Sequence, residues 1–213
     1  MALVARDDHI QIHKLTLGPF DANSYIITCH MTRDSVVVDA PAEADEILKR
    51  LKGTNPRYIL ITHSHMDHLG ALLELRSKLR VPVAVHQLDA ASLPSRPGML
   101  LGDRNTVSFG EIVLRVFHTP GHTPGSLCFL TGKHLISGDT IFPGGPGKTQ
   151  SPSALRQIIE SITSKIFVLP EDTQIYPGHG NPTLVKKEKA EFAVFSSRPH
   201  DPNLCGDVLW LSS

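Results

Sequence analysis

Thr62-His63-Ser64-His65-Met66-Asp67-His68-Leu69-Gly70 places three histidines and an aspartate within six positions. Upstream, Tyr58-Ile59-Leu60-Ile61 is an apolar run of the kind that forms a buried strand. Downstream, Leu69 to Leu79 predicts a helix with Leu72, Leu73, Leu75 and Leu79 on its apolar face. The cluster therefore falls at the turn between a strand and a helix. Imidazoles spaced by two and three, with a carboxylate between them, suit a divalent cation of borderline softness that accepts nitrogen and oxygen ligands.

Moving outward from this turn, the same alternation of strands and helices continues in both directions. On the N-terminal side, Ile10 to Leu17, Ser24 to Thr28 and Ser35 to Asp39 read as antiparallel strands, and Ala42 to Leu51 as an amphipathic helix ending at Gly53. Val81 to His86 returns as a strand after the second helix. Ser92 to Asn105, with Pro94, Pro97 and Gly98, predicts a long surface loop carrying an apolar patch, Met99-Leu100-Leu101, suited to a cleft wall or a dimer contact. Glu111 to Phe117, Ser126 to Thr131 and His134 to Ser137 follow as strands, the last two joined by a tight turn at Thr131-Gly132-Lys133. Ser153 to Ile162 predicts a helix, Gln174 to Tyr176 a short strand and Thr183 to Phe195 a last helix. Each half runs strands, helix, strand, helix, which predicts an α/β fold of two similar halves packed face to face. With no low-complexity linker, residues 1–213 are expected to form a single domain, with 196–213 as an irregular C-terminal tail.

Lysine plus arginine and aspartate plus glutamate are 21 each, so the chain offers no electrostatic footprint for nucleic acid or an anionic membrane. Cys29, Cys128 and Cys205 form no Cys-x-x-Cys pair, and their odd number argues for a reducing compartment. No segment has the pattern of a signal peptide or approaches the roughly 18 apolar residues of a membrane span. A soluble cytoplasmic protein is expected, acting on a small molecule as a monomer or homodimer. The unusual feature is its twelve histidines.

Three further motifs put histidine or aspartate beside glycine directly after a predicted strand. They are Thr119-Pro120-Gly121-His122-Thr123-Pro124-Gly125-Ser126, Ser137-Gly138-Asp139-Thr140 and Tyr176-Pro177-Gly178-His179-Gly180. Glycine and proline on both sides make tight turns that can aim a side chain inward. In this order the four motifs resemble those of the metallo-β-lactamase superfamily, over a span from about Leu15 to Val194. The resemblance implies a four-layer αββα sandwich with two divalent metal ions at the edge of its sheets, zinc first, with iron or manganese also suited to such ligands. His63, His65 and His122 would bind one ion, and Asp67, His68 and His179 the other, with Asp139 bridging both. Asp67 and Asp139 would also take part in catalysis.

Within the superfamily, Ser137 to Phe142 followed by Gly144-Gly145-Pro146-Gly147-Lys148 looks like the hydroxyacylglutathione hydrolases (glyoxalase II). That likeness makes Lys148 the counterpart of a lysine that contacts glutathione. Full-length enzymes of that kind carry a C-terminal helical domain, and 33 residues follow Gly180 here, so the expectation is a short relative hydrolysing a small thioester or ester. The water attacking the carbonyl would be activated between the cations, which lower its pKa from about 15.7 toward about 7. Persulfide dioxygenases are a second similar group, binding one iron through positions that here are His63, His122 and Asp139. Nucleases of the superfamily bring basic or accessory regions not seen here, and β-lactamases that place a thiolate among the ligands differ from Asp139. Of the other histidines, His86 and His118 are candidates to orient a ligand, His9, His13, His30 and His134 are expected at the surface, and His200 is expected to pack on the body. Cys29 and Cys128 read as buried filler.

Overall fold

Apolar, β-branched runs in the first hundred residues form one seven-stranded sheet in the computed structural model, which describes residues 2–213. Its strands lie side by side in chain order: β1 (Ala2–Arg6), β2 (Ile10–Leu17), β3 (Ala22–Cys29), β4 (Asp34–Val38), β5 (Asn55–Leu60), β6 (Val83–His86) and β7 (Met99–Leu101). The first four pair antiparallel and β4 to β7 pair parallel. Parallel neighbours need a crossover, supplied by α1 (Ala44–Leu51) between β4 and β5, by α2 (Leu72–Leu79) between β5 and β6, and by a loop with one 3-10 turn, Ala90–Ser92, between β6 and β7. The second sheet is built from β8 (Thr106–Phe109), β9 (Ile112–His118), β10 (Leu127–Thr131), β11 (His134–Gly138), β14 (Gln174–Pro177) and β15 (Thr183–Leu184), in the order β15-β14-β11-β10-β9-β8. Between β11 and β14 lie a small hairpin, β12 (Ile141–Phe142) with β13 (Gly145–Pro146), and helix α3 (Pro152–Ser161); α4 (Val185–Ser196) closes the regular structure.

Strand side chains alternate between faces, and the alternation sorts the core into layers. Val36 and Val38 pack with Ile27, Leu60, Val116 and Phe129 between the two sheets. Val37, between them in sequence, faces the opposite way, with Ile26, Ile59, Ile47, Leu72 and Leu75 under α1 and α2. Leu130, Leu135, Ile158 and Phe195 fill the space between the second sheet and α3 and α4. The result is the four-layer αββα sandwich that the resemblance implied. Cys29 and Cys128 are buried in these clusters, as expected.

Several local expectations need correction. The apolar triplet Met99-Leu100-Leu101 is not loop but an edge strand paired in register with Ala84, Val85 and His86. Prolines and a glycine nearby masked it, yet Leu101 is buried between the sheets. Strand β1 was not foreseen; its register on β2 breaks between Leu3 and Ala5, which blurs the alternation. Thr183 and Leu184 extend the second sheet before α4 begins, instead of starting the helix. Beyond Ser196, the last residue of α4, the tail contains no helix or strand, but it is pinned: Val208 and Trp210 are buried, and Trp210 packs against Phe192 and Phe195. His200 stacks on Phe195 with ring centres 3.8 Å apart, on the body as expected. Among the described residues, no helix is long and apolar enough to cross a membrane.

His13 is not at the surface but buried on β2 against the Arg50 guanidinium. His134 is half-buried, its Nδ1 3.1 Å from the Tyr176 hydroxyl. Burial, with Arg50 adding to it, lowers the His13 pKa to about 4. A depressed histidine pKa means the fold prefers the neutral ring, so this contribution is complete above about pH 6.5 and is lost as pH falls toward about 4. The unfolding free energy from urea titrations should therefore drop across that window, by up to about 2 kcal/mol after allowing for solvent screening. His13→Gln should flatten that slope, and an unchanged slope in the variant would remove His13 as its source.

Candidate metal centre

The four motifs meet because the strands that precede them end on the same side of the sandwich. Strands β9 and β11 both pair antiparallel with β10, and β14 runs parallel to β11, so the segments holding His122, Asp139 and His179 emerge at one edge. From the other sheet, the chain beyond β5 passes through Thr62 to a single 3-10 turn, Met66–His68. Backbone hydrogen bonds stitch the two edges together: Leu127 N–H donates to Thr62 O at 2.8 Å, and Asn23 N–H to Gly178 O at 2.7 Å.

All seven of the expected ligand residues converge there. His122 Nε2 lies 2.9 Å from His65 Nδ1, and both face His63. On the other flank His179 Nε2 is 3.1 Å from Asp67 Oδ2 and 3.3 Å from His68 Nε2. The Asp139 carboxylate sits between the groups. Its Oδ2 is 3.4, 3.9 and 3.8 Å from the Nε2 atoms of His122, His63 and His179, and its Oδ1 is 3.5 Å from that of His68. Ligands about 2.0–2.1 Å from a shared tetrahedral ion stand roughly 3.3 Å apart, so these separations are of the right size.

A second test of fit is the direction of the lone pairs. His68 Nδ1 hydrogen-bonds Asp39 Oδ2 at 2.9 Å, His122 Nδ1 the Lys148 carbonyl at 2.8 Å and His179 Nδ1 the Phe20 carbonyl at 2.9 Å. The Thr62 hydroxyl donates to Asp39 Oδ2 at 2.7 Å, which leaves its oxygen to accept from His63 Nδ1 at 3.0 Å. In His63, His122 and His179 Nδ1 therefore holds the proton and Nε2 offers its lone pair inward, while in His68 Nδ1 donates to Asp39 and Nε2 is the nitrogen turned inward, where a cation would replace its proton. Buried polar atoms are rarely left without a partner, yet His63 Nε2 and Asp139 Oδ1 are both buried and unpaired. Burial, together with four neighbouring imidazoles, holds His63 well below its usual pKa and keeps it neutral. Burial also opposes a charge on His68, but Asp39, Asp139 and Asp67 outweigh it and raise that ring to about 9. The carboxylates thus make a well for positive charge at the His68 Nε2 edge, and the donor set fits divalent cations.

Glycines admit this crowding. A Cβ on Gly178 would lie 2.1 Å from Asp139 Oδ1, and one on Gly147 would lie 1.8 Å from the Asp139 carbonyl oxygen.

Two supporting carboxylates escaped the sequence reading. Asp39, at a strand end with φ +60°, accepts from the Thr62 backbone as well as from the two side chains above. Asp89 ties the first motif to the second, accepting from Ser64 N–H at 2.9 Å, Thr123 Oγ1 at 2.9 Å and Gly125 N–H at 2.8 Å. Each follows a buried strand, the signal used for Asp139, but neither is flanked by glycine. Asp89→Ala removes the acceptor of three enclosed donors, at about 1–3 kcal/mol for each that finds no substitute. A marked fall in Tm and a roughly tenfold loss of metal affinity are expected. Thermal melts and competition with a chelator check both.

His86 and His118, candidates to orient a ligand, stack on each other with centres 3.9 Å apart. His118 Nε2 bonds the Pro124 carbonyl at 2.8 Å, bracing the His122 turn through its backbone. Lys148 stands at the rim of a cleft of about 320 Å³ that reaches His122, Asp139 and His179. Its ammonium pairs with Asp207 at 3.2 Å.

The sequence profile of the Metallo-beta-lactamase superfamily matches residues 17–179, from the end of β2 to the last histidine of the centre. The chain belongs to this superfamily. Superfamily members are metal-binding enzymes, and this chain is 35% identical to the probable metallo-hydrolase YqgX of Bacillus subtilis, over 83% of this chain and 93% of that one. It is 29% identical to hydroxyacylglutathione hydrolase GloC of Haemophilus influenzae, over 78% and 89% of the two chains. The crystal structure of ETHE1 from Myxococcus xanthus superposes with a TM-score of 0.75 at 27% identity, covering 84% of this chain and 81% of that one.

Proposed function

We propose that this superfamily member is a binuclear metallo-hydrolase that cleaves small thioesters or esters. His63, His65 and His122 would hold one cation, Asp67, His68 and His179 the other, and Asp139 would bridge them. Divalent cations supply a polarising centre for a carbonyl and lower the pKa of water. The observation that carries the reading is the position of Asp139, one carboxylate within 3.9 Å of four inward-facing imidazoles drawn from both sets. The protein's own part is to fix those rings through Asp39, Thr62 and two backbone carbonyls, which removes reorganisation from the reaction. Asp67 Oδ2, 3.1 Å from His179 and partly exposed, would orient a water molecule at the centre. A thiolate leaving group, with a pKa near about 8.5, needs little help from an acid, which suits a cleft lined by Lys148 as its ammonium.

The names of relatives such as GloC support hydrolysis of this class. Similarity to ETHE1 keeps a second reading in play, a mononuclear iron dioxygenase held by His63, His122 and Asp139. The deciding experiment is a turnover panel of S-lactoylglutathione, simple thioesters, a phosphodiester and a β-lactam, run with oxygen uptake on protein of known metal content. Thiol release with two cations per chain is expected. One iron per chain with oxygen uptake and no thiol release would overturn the hydrolase reading.

A further inference from the structure

The C-terminal tail forms one wall of the cleft over the metal centre, and it brings a carboxylate to the rim. Val208 and Leu209 face the cleft together with Phe142 and Pro143 of the small hairpin. The wall is fixed by backbone. Thr149 and Gly206 exchange two hydrogen bonds at 3.1 and 2.9 Å, and Trp210 N–H donates to Gly144 O at 2.7 Å. At Gly145 the approach is so close that a Cβ would lie 2.3 Å from the Val208 carbonyl oxygen. Asp207 sits between these anchors, and Lys148 is adjacent to Thr149, so the backbone pairing itself sets their side chains opposite each other at 3.2 Å.

We infer that Asp207 is a specificity-determining residue: by neutralising Lys148 it selects thioesters or esters whose leaving group is uncharged. This rests on the hydrolase reading above. Both side chains are more than half exposed, so the pair adds little to stability. Its effect is on the field at the cleft mouth. A substrate carboxylate arriving there meets an ammonium and a carboxylate of opposite effect, held a fixed distance apart. Glu188 and Glu191, the other acids near the hairpin, are both paired with Lys187. What remains of the wall is apolar, with Phe142 half-buried and Leu209 exposed. Such a rim rewards an apolar, neutral group and gives an anionic one no net attraction.

The test uses metal-loaded protein and two thioesters of similar size, S-acetyl-N-acetylcysteamine, which is neutral, and S-acetyl-3-mercaptopropionate, which is anionic. Within each variant the readout is the ratio of kcat/KM for the two. Wild type is expected to favour the neutral compound. Asp207→Asn should move the ratio toward the anionic compound by roughly three- to tenfold, the effect of one screened charge a few ångström away. Lys148→Gln should move it the other way, and the double variant should return it close to the wild-type value. NMR titration with the matching S-ethyl thioethers reads the same ratio in binding, independently of turnover. An unchanged ratio in Asp207→Asn, a wild type that prefers the anionic compound, or no binding of either thioether would overturn the inference. If neither thioester is cleaved but the binding ratios shift as stated, the hydrolase reading fails and the charge selection stands.

Discussion

Asp139→Ala should leave a folded protein that retains less than about one cation per chain and loses at least about a thousandfold in kcat/KM, equivalent to about 4 kcal/mol of transition-state stabilisation. The reason is charge as much as coordination. Five imidazoles crowd the centre, and among the described residues only Asp67 and Asp139 turn carboxylates directly toward them, with Asp39 behind His68. Two divalent cations close together repel strongly, and a shared carboxylate is the group that offsets this. Its Oδ2 and Oδ1 reach His122, His63 and His179 on one side and His68 on the other, so no other side chain can take its place. Asp139→Asn tests the charge alone, since it keeps the shape. Elemental analysis of both variants, with circular dichroism to verify the fold, gives the answer. A variant that keeps two cations and wild-type turnover would remove the bridge from the account.

Gly178→Ala should be nearly as damaging although it adds a single methyl group. That methyl would sit 2.1 Å from Asp139 Oδ1 and 2.8 Å from His68 Cε1, on two groups too buried to move freely. Overpacking of this sort costs about 1–3 kcal/mol of stability. The larger effect falls on the centre, where a displacement near 1 Å can cost about a hundredfold in rate. Gly180→Ala is the matched control. It has φ +71° but no atom within 4 Å of the new methyl, so it should cost only about 1–2 kcal/mol of backbone strain and leave the metal content intact. If the two variants lose metal equally, backbone conformation and not space governs this turn.

The layers and the seven converging residues were legible in the sequence because both rest on local patterns. Alternation in Val36-Val37-Val38 sorts side chains between two cores, and glycine-flanked histidines follow buried strands. Features that depend on distant partners were not legible. Met99-Leu101 becomes a strand only because β6 offers it an edge, and His13 is buried only because Arg50, 37 residues later, folds over it. Asp39 and Asp89 carry no turn signature, and their roles arise from donors that lie 23 to 36 residues away in the sequence, on either side. The Lys148–Asp207 pair joins two segments 59 positions apart in the sequence, in a tail without any periodic pattern.

The central claim is most directly tested by stripping the protein of metal and titrating divalent cation back while following thiol release from a simple thioester. Activity rising to a plateau at two equivalents per chain is the predicted result. A plateau at one equivalent of iron, with oxygen consumed and no thiol released, would contradict it.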